Sequence, residues 1–126
     1  MSLRLSLCNE VLAPMPFERQ CEMARAMGYD ALELSPFTLA DDPQTLDAAQ
    51  ARRVAEVARA NGLAISSLHW LLVKPQGLSL VTADTALRGR TVGLLRQLID
   101  FAHACGAQVL VHGSPKQRSP EVGQTV

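Results

Sequence analysis

The stretch of residues 108–118, Gln-Val-Leu-Val-His-Gly-Ser-Pro-Lys-Gln-Arg, concentrates side chains that could do chemistry. Val109–Val111 predict a buried strand that runs directly into His112. Lys116 and Arg118 follow with two positive charges. A cationic loop just past the carboxyl end of a strand is where α/β proteins hold anionic ligands. A solvated basic turn is the alternative interpretation of the same residues.

Two earlier predicted strands also carry polar side chains where a ligand could reach them. Glu33 lies between two leucines in Ala-Leu-Glu-Leu, and a carboxylate inside a buried strand needs a partner. His69 ends the run Ser-Ser-Leu-His. Because Glu33, His69 and His112 fall on successive strand ends, we expect them to share a pocket.

The two histidines and the carboxylate suggest chemistry on a hydroxyl or carbonyl group. A neutral imidazole at His69 or His112 can donate a hydrogen bond to a substrate oxygen and stabilise an enediolate as charge develops. Glu33 can accept a hydrogen bond from a sugar hydroxyl or orient a histidine. A buried ion pair with Arg4 or a neighbour is the structural alternative for Glu33.

Three further side chains complete the predicted ligand-binding set. Lys116 and Arg118 would attract a phosphate or a carboxylate. Trp70 would form an apolar wall against a sugar face, or would simply pack. His103, on a predicted helix, is expected at the surface with no role in the site.

The elements that must position these residues alternate between strand and helix. We predict strands over residues 3–8, 29–35 and 63–72 and from 108, and helices over residues 17–27 and 48–60 and from about 84 to 104. Regular alternation of this kind is typical of a parallel sheet. Either an open doubly wound sheet or a shortened (β/α)₈ barrel fits, but no glycine follows the first strand, which disfavours a nucleotide-binding open sheet.

Composition sets the broad class of protein. The chain has 126 residues, of which 48% are hydrophobic and 19% charged, with a formal net charge of zero. These values predict one domain, residues 1–126, with a hydrophobic core and no general attraction to nucleic acid or membrane. No membrane-length apolar run or signal-peptide pattern is present, so we expect a cytoplasmic protein.

Three cysteines, Cys8, Cys21 and Cys105, are widely separated and set in apolar patterns. An odd number at such spacings argues against a disulfide frame or a zinc cluster. We therefore expect all three to be reduced cysteines of the core.

Three segments together resemble the sugar phosphate isomerase/epimerase superfamily, the xylose isomerase-like barrels that also include endonuclease IV. They are Gly-Tyr-Asp-Ala-Leu-Glu-Leu at 28–34, Ser-Leu-His-Trp at 67–70 and His-Gly-Ser-Pro-Lys-Gln-Arg at 112–118. The resemblance covers essentially the whole chain and implies an α/β fold of TIM-barrel type. That barrel has eight strands in about 250 residues, so this chain would supply the N-terminal half, strands one to four with their helices.

The resemblance also implies an activity. Complete members would move a proton between adjacent carbons of a small sugar or hydroxy-carbonyl compound, with a divalent metal (Mn, Mg, Co or Zn) polarising the oxygens. In them the later strands bring the metal-binding carboxylates and histidine as well as the acid/base glutamates. We therefore expect no complete catalytic set, no metal held by this chain alone and little catalysis by a monomer. What remains would contact a small sugar or sugar phosphate through Glu33, His69, Trp70, His112, Lys116 and Arg118.

The endonuclease IV branch offers a different role for the histidines. In its members, histidines that end the third and fourth strands bind zinc, which makes His69 and His112 candidate ligands by resemblance. Two histidines are only half of a usual metal site. An endonuclease-like fragment is disfavoured, because basic residues are scattered and a DNA-binding face should be clustered and positive.

A non-catalytic sugar- or anion-binding half-barrel is the second functional hypothesis. Half a barrel leaves the edges of its first and last strands open and part of its apolar inner face exposed. Two copies that close edge to edge would cover these surfaces, so we expect self-association.

Overall fold

Strands and helices alternate along the chain as predicted. The computed structural model describes residues 3–120 and 122–123. Its strands are β1 (Ser6–Cys8), β2 (Ala31–Leu34), β3 (Ala64–His69) and β4 (Val109–Val111), and its α-helices are α1 (Phe17–Ala26), α2 (Ala48–Ala60) and α3 (Thr85–Cys105). Short 3₁₀ helices cover Asn9–Leu12, Pro36–Thr38, Pro43–Thr45 and Pro115–Arg118. The helix bounds follow the sequence prediction closely, β4 covers the predicted Val109–Val111, and the first three strands are shorter than predicted.

The four strands form one open parallel sheet in the order β1-β2-β3-β4, which confirms the predicted parallel sheet. Cys8 pairs with Glu33, Glu33 with Ser67, and Ser67 with Val109. Paired residues of parallel strands point to the same side of a sheet. We call the side that carries Glu33 the inner face and the opposite side the outer face.

A β-bulge in β3 changes the register between β2 and β3. Leu32 pairs with Ile65, but the next residue, Glu33, pairs with Ser67, so Ser66 is an extra residue in β3. Side chains alternate between the two faces of a strand, and one extra residue therefore reverses the alternation beyond it. As a result Ser67 lies on the same face as Glu33.

The reversed alternation also places the two residues that follow Ser67. His69, two residues further along, lies on the inner face, at the carboxyl end of β3. Leu68 lies on the outer face and is fully buried. The same short strand thus contributes both to the core and to the polar end of the sheet.

The helices pack against the outer face, where the hydrophobic core lies. The core contains leucines of β2 and β3 and apolar residues from all three helices; its members include Leu32, Leu34, Leu68, Cys21, Ala51, Ala58, Leu98 and Phe101. Burying each large side chain contributes about 1.5–3 kcal/mol, so this layer supplies most of the stability of the fold. Among the described helices, none is long and apolar enough to cross a membrane.

Local sequence signals explain where the helices begin and end. Asp47 and Gln50 form a capping box at the start of α2, and Asp84 accepts hydrogen bonds from two backbone N–H groups at the start of α3. Gly106 ends α3 in the left-handed conformation, at φ 85°. On α3 the apolar Ile99 is 54% exposed, because no described element covers that side of the helix.

The prediction of a buried fourth strand was wrong. Val109 is 52% exposed and Val111 is 45% exposed. β4 is an edge strand, and the described residues place no second layer over the inner face of the sheet. The apolar run in the sequence correctly predicted a strand. Whether β4 is buried depends on whether a second layer covers the inner face of the sheet.

Candidate functional site

His69 is the centre of a polar cluster at the carboxyl ends of β1, β2 and β3. Its Nδ1 lies 3.3 Å from Glu33 Oε2, and its Nε2 lies 3.3 Å from Cys8 Sγ and 3.5 Å from Glu10 Oε2. The His69 side chain is only 12% exposed, whereas the side chain of Glu10 is 31% exposed and that of Glu33 is 28% exposed. The cluster is therefore enclosed around the imidazole and open to solvent at its acidic groups.

Each member reaches the cluster through a specific turn of the chain. Cys8 ends β1 on the inner face, and the 3₁₀ helix Asn9–Leu12 begins at once, which returns Glu10 toward the sheet. Glu33 occupies an inner position of β2. The bulge at Ser66 directs His69 to that face. Parallel strands bring these groups together because their carboxyl ends share one edge.

Two serine hydroxyls fix the orientation of the carboxylates. Ser67 Oγ donates to Glu33 Oε1 at 2.8 Å, and Ser35 Oγ donates to Glu10 Oε2 at 3.1 Å. Ser35 Oγ also lies 3.2 Å from His69 Nε2. With both carboxylates hydrogen-bonded, the imidazole is held between groups that are themselves oriented.

Asn9 connects the cluster to neighbouring elements through hydrogen bonds. It is fully buried, its Oδ1 accepts from the backbone N–H of Ser35 at 2.8 Å, and its Nδ2 donates to Gln20 Oε1 at 3.0 Å and Thr38 Oγ1 at 2.7 Å. These bonds join the end of β1 to α1 and to the segment after β2. Asn9 therefore sets the position of Ser35, one of the groups that orient Glu10.

The cysteine of the cluster corrects one expectation from the sequence. Cys21 and Cys105 are buried in the core as expected, but Cys8 is only half-buried and faces His69. Burial raises the pKa of the Cys8 thiol, and the negative charges of Glu10 and Glu33 raise it further, against a backbone hydrogen bond at Glu10 that lowers it. The thiol is accordingly protonated at neutral pH in the metal-free protein.

Trp70 and Lys116 come together beside the cluster. Both line a groove of about 650 Å³ together with residues of the loop after β3 and of the loop after β4. Trp70 has φ 55°, a strained value for a bulky residue, and its ring lies edge-on to the His69 ring with centroids 6.5 Å apart. The Leu80 N–H donates to the Gln117 carbonyl at 2.8 Å and joins the two loops.

The structure does not bring His112 and Arg118 into the cluster. The His112 side chain is exposed and makes no hydrogen bond or ion pair with any described residue. Arg118 is exposed and donates from Nε to the Gly113 carbonyl at 3.0 Å, within its own loop. His103 is exposed on α3 as expected, and Glu33 pairs with His69 and not with Arg4.

Sequence reasoning missed Cys8 and Glu10 as members of the site. Glu10 comes just after the first strand. Because the carboxyl ends of parallel strands meet at one edge of the sheet, this position could have predicted that Glu10 belongs to the site. In Leu-Ser-Leu-Cys, Cys8 falls on the side of Ser6 and opposite to the two leucines, so the alternation was a usable signal that Cys8 faces away from the core. Only the open inner face makes this thiol part of a polar site.

One group of potential metal ligands exists among residues 3–120 and 122–123: Cys8, Glu10 and His69 offer atoms within 4.8 Å of one another. The family resemblance implied a metal held by carboxylates and a histidine. A set with a thiol and a single carboxylate does not fit that oxygen-rich site, because hard cations such as Mg²⁺ and Mn²⁺ prefer oxygen ligands.

Comparison with known proteins identifies the family. The family model for xylose isomerase-like TIM barrels matches residues 21–125, and the chain belongs to this family. No curated protein matches the sequence significantly.

Solved structures show the same fold at low sequence identity. A D-psicose 3-epimerase superposes with a TM-score of 0.71 at 12% identity, over 98% of this chain and 42% of the epimerase. The 3-keto-D-glucoside 4-epimerase of E. coli gives 0.66 at 12% identity, over 95% and 44% of the respective chains. A xylose isomerase domain-containing protein of Salmonella typhimurium gives 0.58 at 19% identity, over 89% and 38%. The chain thus spans less than half the length of these structures and has the fold of a partial TIM barrel.

Proposed function

We propose that this chain provides the substrate-contacting half of a sugar isomerase or epimerase, which acts on a small sugar or sugar phosphate by metal-assisted proton transfer. The observation that supports this most is the Glu33–His69 pair, 3.3 Å apart at the carboxyl end of a parallel sheet. In TIM-barrel enzymes the active site lies at that end. Family membership supports the same reaction class.

In this proposal the cluster binds and orients the reacting part of the sugar. His69 would hydrogen-bond a hydroxyl or carbonyl oxygen, and Glu33 would keep the imidazole in one tautomer. The divalent metal and the acid/base carboxylates would come from strands outside this chain. We therefore expect binding without appreciable turnover from the 126 residues alone.

The groove beside the cluster would hold the far end of the ligand. Trp70 offers an apolar wall and Lys116 a positive charge for a phosphate or carboxylate. Arg118, on the same short 3₁₀ helix as Lys116, would add long-range attraction rather than a direct contact. His112 stays a predicted contact only for a ligand that extends toward β4. We further propose a cytoplasmic location, which the three free cysteines support.

Trp70 is the single tryptophan and allows a direct test. We expect its fluorescence to change saturably when the protein is titrated with D-fructose or with a ketose phosphate. Glu33→Gln and His69→Gln should weaken binding about tenfold or more, because each removes an oriented hydrogen-bonding group. Lys116→Ala should weaken the binding of the phosphorylated sugar only.

His103→Gln is the matched control, since that histidine is exposed on the outer side of α3. Its affinity for the sugars should equal that of the unmodified protein. A titration without any saturable change, or equal weakening by His103→Gln, would contradict the proposed function.

Self-association of a non-catalytic half-barrel is the second candidate function, and the open inner face favours it. Val109 and Val111, inner-face residues of edge strand β4, are each about half exposed. Two copies would together supply eight strands, the number in a closed barrel of this family. Closure would pair the free backbone groups of the edges and cover these apolar side chains.

A further inference from the structure

The cluster around His69 contains two side chains, Cys8 and Glu10, to which the proposed sugar contacts assign no role. Cys8 and Glu10 both approach His69 Nε2, the nitrogen that faces away from Glu33. A thiol, a carboxylate and an imidazole nitrogen that converge on one point are the three side-chain donors typical of zinc sites. We propose that Cys8, Glu10 and His69 bind one zinc ion.

The distances match a shared tetrahedral metal. Two ligand atoms bound to one tetrahedral Zn²⁺ at its usual bond lengths of 2.0–2.3 Å lie roughly 3.3–3.6 Å apart. Cys8 Sγ lies 3.3 Å from His69 Nε2, and Glu10 Oε2 lies 3.5 Å from the same nitrogen. All three ligand atoms lie within 4.8 Å of one another. Cys8 Sγ also lies 3.8 Å from His69 Nδ1 and Ser35 Oγ lies 3.2 Å from Nε2, so the thiol and the serine hydroxyl would rotate when an ion binds.

The outer contacts of the cluster also fit a zinc site. A metal-bound histidine usually donates its other ring N–H to a carboxylate, which fixes the tautomer and the ring orientation. Glu33 Oε2 lies 3.3 Å from His69 Nδ1 and is itself held by the Ser67 hydroxyl at 2.8 Å. Ser35 donates to Glu10 in the same way. Glu33, Ser67 and Ser35 are residues other than the three proposed ligands, and Glu33 and Ser35 contact those ligands directly.

The donor set selects the kind of metal. A thiolate is a soft ligand that favours Zn²⁺ over Mg²⁺, Ca²⁺ or Mn²⁺. Binding would displace the Cys8 proton, and the thiolate and the Glu10 carboxylate would then balance the charge of the ion. The site therefore differs from the oxygen-rich metal site that the family resemblance implied.

Three protein ligands leave one position of the zinc open. Glu10 keeps 31% of its side chain exposed, so water or a ligand oxygen can reach the metal from the inner face. The inference does not rest on the proposed sugar-binding function, because Cys8 and Glu10 are not among the proposed sugar contacts. It also differs from a site built on His69 and His112, which the structure leaves apart.

Cobalt substitution under reducing conditions tests the site directly. Titration of the metal-free protein with Co²⁺ should give one equivalent of binding, intense visible bands of a four-coordinate ion and a near-ultraviolet thiolate-to-cobalt band. One equivalent of Zn²⁺ should abolish these bands. Cys8→Ser should remove the thiolate band, and Glu10→Gln should weaken Zn²⁺ binding strongly.

Variants of the outer shell and matched controls complete the test. Glu33→Gln should lower the affinity for Zn²⁺ by about 10–100-fold, while the shape of the cobalt spectrum should not change. His112→Gln and Cys105→Ala should bind Zn²⁺ as the unmodified protein does. The thermal unfolding of each metal-free variant, followed by circular dichroism, shows that loss of binding is not loss of folding.

Two results would overturn the zinc site. One is the absence of stoichiometric Co²⁺ or Zn²⁺ binding by the folded protein. The other is binding that survives Cys8→Ser and Glu10→Gln but is lost in His112→Gln. Because sugar binding is read from Trp70 in metal-free buffer, failure of either proposal leaves the other testable.

Discussion

His69 has a single polar environment that supports two different tasks. Its Nδ1 side faces Glu33, and its Nε2 side faces Cys8, Glu10 and Ser35. Without metal, Nε2 would exchange its contact with Ser35 or Cys8 for a hydrogen bond to a sugar oxygen; with zinc, the same nitrogen would be a ligand. A sugar oxygen and a zinc ion would therefore compete for His69 Nε2. We expect the affinity for sugar to fall when Zn²⁺ is bound at this nitrogen.

Asn9 should be the polar residue with the largest effect on stability. Asn9→Ala removes three hydrogen bonds, two of them buried, and leaves the Ser35 N–H without its acceptor. We expect the free energy of unfolding to fall by about 2–4 kcal/mol, measured by urea denaturation. The same variant should weaken the Trp70 fluorescence response, because Ser35 and Glu10 lose their support.

Asn61→Ala provides the comparison for that measurement. Asn61 is half-buried at the end of α2 and donates one hydrogen bond, to the Val57 carbonyl at 3.0 Å. Its replacement should cost about 1 kcal/mol or less. Equal losses in the two variants would show that Asn9 has no special structural role.

At the scale of the element, α1 carries a group whose ionisation should make stability depend on pH. Burial raises the pKa of the Cys21 thiol to about 11, and the charges of Glu18 and Glu22 add to the shift. In the unfolded chain the thiol ionises near its ordinary value of 9.0. Between these values the unfolded chain binds fewer protons than the folded protein, so stability falls as pH rises.

Urea denaturation between pH 9 and pH 11 measures this effect. The contribution of Cys21 should be on the order of 2 kcal/mol across that range. Cys21→Ala is less stable at neutral pH but should lose less stability on the alkaline side. Cys105→Ala should retain the contribution of Cys21 to the slope of the free energy of unfolding against pH. If the unmodified protein, Cys21→Ala and Cys105→Ala all had the same slope, the pH dependence could not be assigned to Cys21.

The helices were predictable from the sequence because their signals are local. Apolar spacing on α1 and α2, the cap at Asp84 and the glycine at Gly106 each act within a few residues. Burial of β4 was not predictable in the same way. Whether Val109 and Val111 are covered depends on which layer lies over the inner face, and a single strand carries no information about that.

The candidate site was predictable only where strand alternation sufficed. Glu33 between two leucines had to face away from the core, so its meeting with a polar partner followed from the pattern. Ser66 and Ser67 are identical in type, and nothing in them indicates which one is the extra residue of the bulge. The identity of Glu33's partner therefore required the structure.

At the scale of the whole molecule, the open sheet predicts an assembly of two copies. We expect light scattering after size exclusion to give a mass twice that of one chain. Val111→Lys should shift the protein toward the monomer, because a charge on the inner side of the edge strand opposes closure.

Ile99→Lys tests whether any exposed apolar residue would have the same effect. Ile99 is 54% exposed, but it lies on α3, in the helix layer of the outer face, and not on the inner face of the sheet. This variant should remain dimeric. A monomeric unmodified protein, or equal dissociation of both variants, would count against pairing through the inner face.

The bulge at Ser66 has a consequence for how this site could be lost in a lineage. A substitution that removed the bulge without changing the length of β3 would leave Cys8, Glu10, Glu33 and His69 unchanged in the gene. Ser66 would then pair with Glu33, His69 would point among the helices and Leu68 would point toward the open face. The site thus depends on the pairing register of β3 as well as on residue identities, and conserved site residues alone would not guarantee that a descendant keeps it.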